Sequence, residues 1–335
     1  MTNAAQKKSI SEAIEGYLRM VASARSPHTA LAYKNALAAF RAALEKQGLP
    51  PDQTPIEEMT ENAFGKFVSF LKDYSTATEQ LYLQAVKGFY LYIDSEDLAR
   101  VNSSRLTVLL RQRGRRAGAR LPQFPAADIE TLLEQIQAPQ FLAIHIGEDG
   151  EKNAILRALR DRAFLVTLAD TGLRVHEACN LRRGDVDWNE GRAVIIGKGD
   201  KQAVVRFTTR SLQAIKGYLA QRAALDGNSG KPLSSLPLFA RHDKGAGKKI
   251  KPIATATGRN IVNERVEQFL GKDAVGKITP HSFRHYFVTA VLRGTGNLKI
   301  AQELARHKNI QVTQRYTHLS DDELDKAYYD VFEKP

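Results

Sequence analysis

A single cysteine, Cys179, stands in a chain of 335 residues. That excludes an internal disulfide framework, and no cysteine pair is spaced to hold zinc. One thiol fits a reducing cytoplasm. Long apolar runs are also lacking: none approaches the roughly 20 residues of a membrane-spanning helix. The first residues, MTNAAQKKSISEAIEGYL, have no apolar stretch of the kind a secretory signal carries. Acid is in short supply, since 49 Lys and Arg against 37 Asp and Glu leave a net charge of +12. This imbalance points to a polyanionic partner, nucleic acid first and an anionic membrane surface second. What remains is ordinary: 43% hydrophobic residues, enough to fold, and a length sufficient for two domains. No internal repeat is visible. Cys179, on a helix close to Arg174, reads as a small buried apolar residue rather than a nucleophile.

The first hundred residues carry helical periodicity. SISEAIEGYLRMVA opens on a serine cap, either Ser9 or Ser11, with Ile14, Leu18 and Val21 at helical spacing. SPHTALAYKNALAAFRAALEKQG starts near Ser26 with proline in its first turn and ends at Gly48. TENAFGKFVSFLKDY and ATEQLYLQAVKGFYLYI complete an expected helical unit over residues 1–105. The stretch RQRGRRAGARLPQFP follows, with Arg111, Arg113, Arg115, Arg116 and Arg120 and no acid among them. Its glycines and proline interrupt helix. We read 106–124 as a basic linker that meets DNA phosphates, the competing reading being a solvated joint. A second domain is expected over 125–319. It is mostly helical, with DVDW, GRAVIIG and QAVVRF as three short strands and GKGDK turning the last two.

Four segments of this second domain hold chemistry in a fixed order. TGLRVHEACNL carries Arg174, and IIGKGDKQAVVRF carries Lys198. PHSFRHYF sets His281 three residues before Arg284, near the start of a helix that Thr279 can cap and Pro280 can begin. ELARHKNIQVTQRYTHL carries His307 and, nine residues later, Tyr316. His281 and Arg284 share one helix face, and the positive end of that helix attracts an anion. No paired carboxylates or His/Asp cluster accompany them, and no metal is called for.

This set resembles the tyrosine recombinase (phage integrase) family in its compact two-domain layout of the Xer or Cre type. The resemblance runs from the first helices to about Leu319 and is most specific in the C-terminal half. It implies a mainly α fold, with an N-terminal helical core-binding domain and a mixed, mostly helical catalytic domain bearing a small three-stranded antiparallel sheet. It implies that Arg174 and Arg284 hold the nonbridging oxygens of a phosphodiester, which guanidinium groups match in geometry and permanent charge. His281 and His307 would hydrogen-bond that phosphate, and Tyr316 would attack it. Lys198 would protonate the 5′ leaving oxygen, with Lys201 as the alternative. Glu177 supports the helix start beside Arg174 or orients a neighbour. His285 packs or hydrogen-bonds without reacting. The expected activity is site-specific recombination of double-stranded DNA at inverted-repeat half-sites. It would run through a 3′-phosphotyrosyl intermediate and a Holliday junction, by a homo-tetramer on two duplexes, with no cofactor and no membrane. Alternatives are relaxation of supercoils in the manner of a type IB topoisomerase and DNA binding without catalysis. Residues 320–335 form a tail whose Leu324, Tyr328 and Phe332 make an apolar stripe, docking either on its own domain or, as the family does, on a neighbouring protomer. One departure stands out: where the family has glycine before the second histidine, this chain has Arg306.

Overall fold

The computed structural model describes residues 8–115, 125–143, 151–196, 202–243 and 249–307. The chain divides into two compact units, 1–120 and 121–335. Among the described residues the first is all helical: α1 (Ile10–Ala24), α2 (Pro27–Glu45), α3 (Glu61–Phe70), α4 (Thr76–Ser95) and α5 (Ser103–Arg113). The starts follow local chemistry. Ser9 caps α1, accepting from Glu12 N while the Glu12 carboxylate takes Ser9 N. Ser26 caps α2, with Pro27 at its first position. Apolar faces of the helices meet in one core around Phe40, Phe64, Phe67, Phe89 and Tyr90. The phenol of Tyr90 satisfies itself on Thr60 O at 2.8 Å.

Helix α5 reaches into the stretch expected to be a basic linker. Asn102 caps it through Arg105 N. Leu106 is fully buried, with Leu109 and Leu110 packed beside it, and this apolar edge is what keeps the arginine-rich segment helical up to Gly114. Arg111 and Arg113 are exposed in its last turn. Arg115, expected to meet phosphate, is ion-paired with the fully buried carboxylate of Glu79 and donates to the carbonyls of Leu71 and Tyr74. Its guanidinium is thus committed inside the helical unit. Arg116 and Arg120 lie outside the described residues.

The second unit is built on α8 (Glu151–Thr171). Its other described helices are α6 (Ala126–Gln137), α7 (Pro139–Ala143), α9 (Val175–Asn180), α10 (Thr209–Gly227), α11 (Thr255–Leu270), α12 (Pro280–Thr295) and α13 (Leu298–Ala305). Helices α10 and α12 pack on α8, and α13 packs on α12. Three antiparallel strands, β1 (Val186–Asp187), β2 (Arg192–Ile196) and β3 (Gln202–Arg206), lie in that order, with Val194 opposite Val204. The turn between β2 and β3, which holds Lys198 and Lys201, is outside the described residues, as are Tyr316 and the tail. Arg222 is the largest fully buried side chain of this unit. It holds the carbonyls of Pro237 and Leu238 and the Tyr218 hydroxyl, and pairs with Asp226, which also takes Arg183. A buried guanidinium persists only when its donors and charge are answered in this way.

Candidate active site

The site starts from one glycine. At the C-terminal end of α8 the chain must reverse before α9, and Gly172 does so with φ of +59°. A side chain there would also strike the Phe287 ring, 2.4 Å from the position of a Cβ. The turn leaves the Gly172 carbonyl pointing at two arginines. Arg284 Nη1 donates to it at 2.5 Å and Arg306 Nη2 at 3.3 Å. Arg284 Nη2 donates to the carbonyl of Ala305, at the end of α13. One side chain on α12 therefore ties together the TGLR turn, 112 residues earlier, and the segment that leads into His307.

Arg174, two residues after Gly172, is the N-terminal cap position of α9. Its backbone N–H donates to Glu177 Oε2 at 2.9 Å and its Nη1 to Oε1 at 3.0 Å. Glu177 thus caps the helix and holds the arginine side chain. The Glu177 side chain is 3% exposed while that of Arg174 is 43% exposed. Arg174 is the guanidinium open to a ligand, and Arg284, at 2% exposure, is the buried one. Burial raises the Glu177 pKa, but the charge of Arg306 and the hydrogen bonds and charge of Arg174 outweigh it, so the carboxyl is held below its usual range and stays ionised.

At the start of α12, Thr279 N donates to Ser282 Oγ at 3.0 Å and Pro280 takes the first position. His281 and His285 meet edge to face, ring centroids 4.4 Å apart. Burial and then the charges of Arg284 and Arg174 lower the His281 pKa. The same causes, with smaller contributions from His281 and His285, bring His307 down to about 4. Both imidazoles are neutral at pH 7, each with one N–H to give and one lone pair to receive. Arg174, Glu177, His281, Arg284 and His307, scattered over more than a hundred residues, thus share one site. Cys179 does not join it: it is buried, and burial pushes its thiol up to about 12, which leaves it protonated and unreactive.

The sequence did not reveal two contributions. One is the Gly172 carbonyl, a backbone acceptor that no side-chain pattern announces. The other is Arg306, whose Nη2 reaches Glu177 Oε2 at 3.1 Å. Its place before His307 was the only signal.

The lowered histidine pKa values have a measurable consequence. A folded-state pKa below the unfolded value means that the unfolded chain takes up protons first as pH falls, so stability is present above about 6.5 and is lost towards the folded pKa. For His307 the window runs from about 6.5 to about 4. Buried His242, which meets the Tyr218 hydroxyl at 2.7 Å, adds a loss over the same range that continues to about 3. Each proton contributes at most about 1.4 kcal/mol per pH unit, and less at half-buried His307, where water screens the charge. Thermal unfolding from pH 8 to 5 should show a flat Tm above pH 7 and a fall below 6.5, shallower in His242→Asn. A Tm that rises on acidification in this range would contradict the neutral assignment.

With this geometry in hand, comparison with known proteins is informative. The Phage integrase family model matches residues 140–323, and the Phage integrase, N-terminal SAM-like domain model matches residues 14–97. Tyrosine recombinase XerC of Thermodesulfovibrio yellowstonii is 31% identical over 305 residues, 90% of this chain and 89% of that protein. Tyrosine recombinase XerC of Pediococcus pentosaceus is 28% identical over 92% of each chain. Among solved structures, XerH site-specific recombinase bound to difH substrate aligns with a TM-score of 0.65 at 20% identity, covering 96% of this chain and 85% of that one. A lambda integrase dimer bound to a core site aligns at 0.61 and 16% identity, covering 92% and 95%. At these identities the structural matches establish the fold. The chain belongs to the phage integrase family, the tyrosine recombinases.

Proposed function

We propose that this protein cuts and rejoins double-stranded DNA at specific sites, exchanging strands between two duplexes. The observation that carries this reading is the cluster of guanidinium groups and neutral imidazoles held around the Gly172 turn. A phosphodiester under attack develops charge on its nonbridging oxygens; in this reading exposed Arg174 meets it directly, buried Arg284 adds its charge from the Gly172 turn, and His281 and His307 are hydrogen-bonding partners. Tyr316 supplies the nucleophile. Its oxygen bonds to phosphorus, the bond from phosphorus to the 5′ oxygen breaks, and Lys198, or Lys201, gives that oxygen its proton. The DNA is left joined to the enzyme through a 3′-phosphotyrosyl link. Because one ester replaces another, the bond energy is retained and the step calls for neither nucleotide nor metal. Attack by the 5′ hydroxyl of a partner duplex reseals the strand and passes through a Holliday junction. The assembly is a homo-tetramer on paired inverted-repeat half-sites, in the cytoplasm. Arg111, Arg113, Arg116 and Arg120 serve as phosphate contacts.

The test uses two duplexes of different length that carry the inverted repeat flanking the gene, incubated in EDTA. The expected result is a detergent-resistant protein–DNA adduct together with products of exchanged length. An adduct with supercoil relaxation and no exchange would make the protein a topoisomerase of the IB type. Binding with no adduct would leave it a DNA-binding protein.

A further inference from the structure

Arg306 ends α13 in the left-handed conformation, with φ of 57° and ψ of 42°. Glycine adopts this geometry freely and an arginine does so under strain. The strain is not relieved by placing the side chain in water. The side chain is 12% exposed, and its guanidinium turns inward to Glu177 and the Gly172 carbonyl. Among the described residues its Nε and Nη1 are buried without a hydrogen-bond partner. A residue chosen for stability would show neither the strained backbone nor, among the described residues, two buried donors without a partner.

What the side chain does is change the company Glu177 keeps. Oε2 of Glu177 accepts from Arg306 Nη2 and from the Arg174 backbone, which leaves only Oε1 for the Arg174 guanidinium. Without Arg306, Arg174 is free to close on both carboxylate oxygens as a paired ion bridge. With Arg306 in place, the Arg174 guanidinium gives Glu177 one hydrogen bond among the described residues, and its side chain, 43% exposed, stays open to a ligand. The charge balance moves in the same direction: two guanidinium groups, Arg174 and Arg306, share the one Glu177 carboxylate, a third, Arg284, meets Arg306 at the Gly172 carbonyl, and the surplus draws an anion.

We propose that Arg306 is a positioning residue for strand cleavage, competing with Arg174 for Glu177 so that the Arg174 guanidinium stays directed at the scissile phosphate. This rests on the recombinase reading above. It predicts a separation of stability from activity. Arg306→Gly relieves the backbone and removes the orphaned donors, so its Tm should equal or exceed that of the native protein. Half-site affinity should change little. Adduct formation on a nicked duplex should fall by about 100-fold, the scale of a misplaced catalytic group. Arg306→Lys, which can still reach Glu177 with one donor, should recover part of that loss. Glu177→Gln should weaken the effect of Arg306→Gly, because the neutral amide no longer clamps Arg174. Adduct formation by Arg306→Gly at the native rate would overturn the proposal. A fall in Tm that accounts for the lost activity would do the same by making the residue structural. Failure of the native protein itself to form an adduct would instead overturn the recombinase reading.

Discussion

Tyr316→Phe should reduce the covalent protein–DNA adduct to background, a loss greater than about 10⁴-fold, while half-site binding stays at the native level. The substitution removes one oxygen and almost no volume, so the fold has no reason to change. A phenol ionises near pH 10, and an unassisted tyrosine is a poor nucleophile at pH 7. The cluster described here supplies what it lacks. In the proposed mechanism Arg174 and Arg284 lower the energy of a phenolate brought beside the phosphate, and neutral His281 and His307 each offer a lone pair for its proton. Among the 11 tyrosines, Tyr316 is singled out by its spacing from His307, whose imidazole is in the site. The measurement is adduct formation on a duplex nicked just beyond the cleavage point, so that the released fragment diffuses away and the link accumulates. An adduct of normal yield from the Phe variant would give the nucleophile to another residue.

Much of this site could be read from the chain because its signals are local. Thr279 and Pro280 mark a helix start, and His281 and Arg284 sit three apart in its first turns, so their shared face follows from helix geometry alone. TGLR announces a turn because only glycine tolerates it. The hairpin strands were legible as short β-branched apolar runs on either side of a glycine-rich turn, and they pair with Val194 opposite Val204. The contributions that escaped are long-range or belong to the backbone. That Arg284 is buried and binds two carbonyls depends on three segments meeting in space, which no periodicity reports. That Arg115 answers Glu79 could not be told from composition, because a run of arginines gives the charge of a segment and not the partner of each member. Helix α5 was hidden for a related reason: its arginines, and the glycine that follows it, obscured the single leucine edge that folds it.

Arg284→Ala should be costly twice over. In the folded protein the Arg284 side chain is 2% exposed and gives its terminal donors to Gly172 O and Ala305 O. Truncation takes its side-chain donor from the Ala305 carbonyl, a loss of about 1–3 kcal/mol in a buried setting, and leaves the Gly172 carbonyl to Arg306. It also loosens the junction between the α8–α9 turn, α12 and the end of α13. A Tm several degrees lower is expected. The catalytic loss should be larger, because in the proposed mechanism the same group neutralises the phosphate in the transition state, and removing one such donor from a closed site lowers rates by about 10²–10³-fold. Arg284→Lys separates the two effects. A lysine keeps the positive charge but has no planar fork, so it can serve one carbonyl or the phosphate without holding the geometry of both. It should fold nearer to the native stability, bind half-sites, and still cleave at least about 100-fold more slowly. Calorimetry and adduct formation on the same preparations decide the matter. An unchanged Tm in Arg284→Ala would deny the structural junction, and near-native cleavage by Arg284→Lys would mean that charge alone suffices at this position.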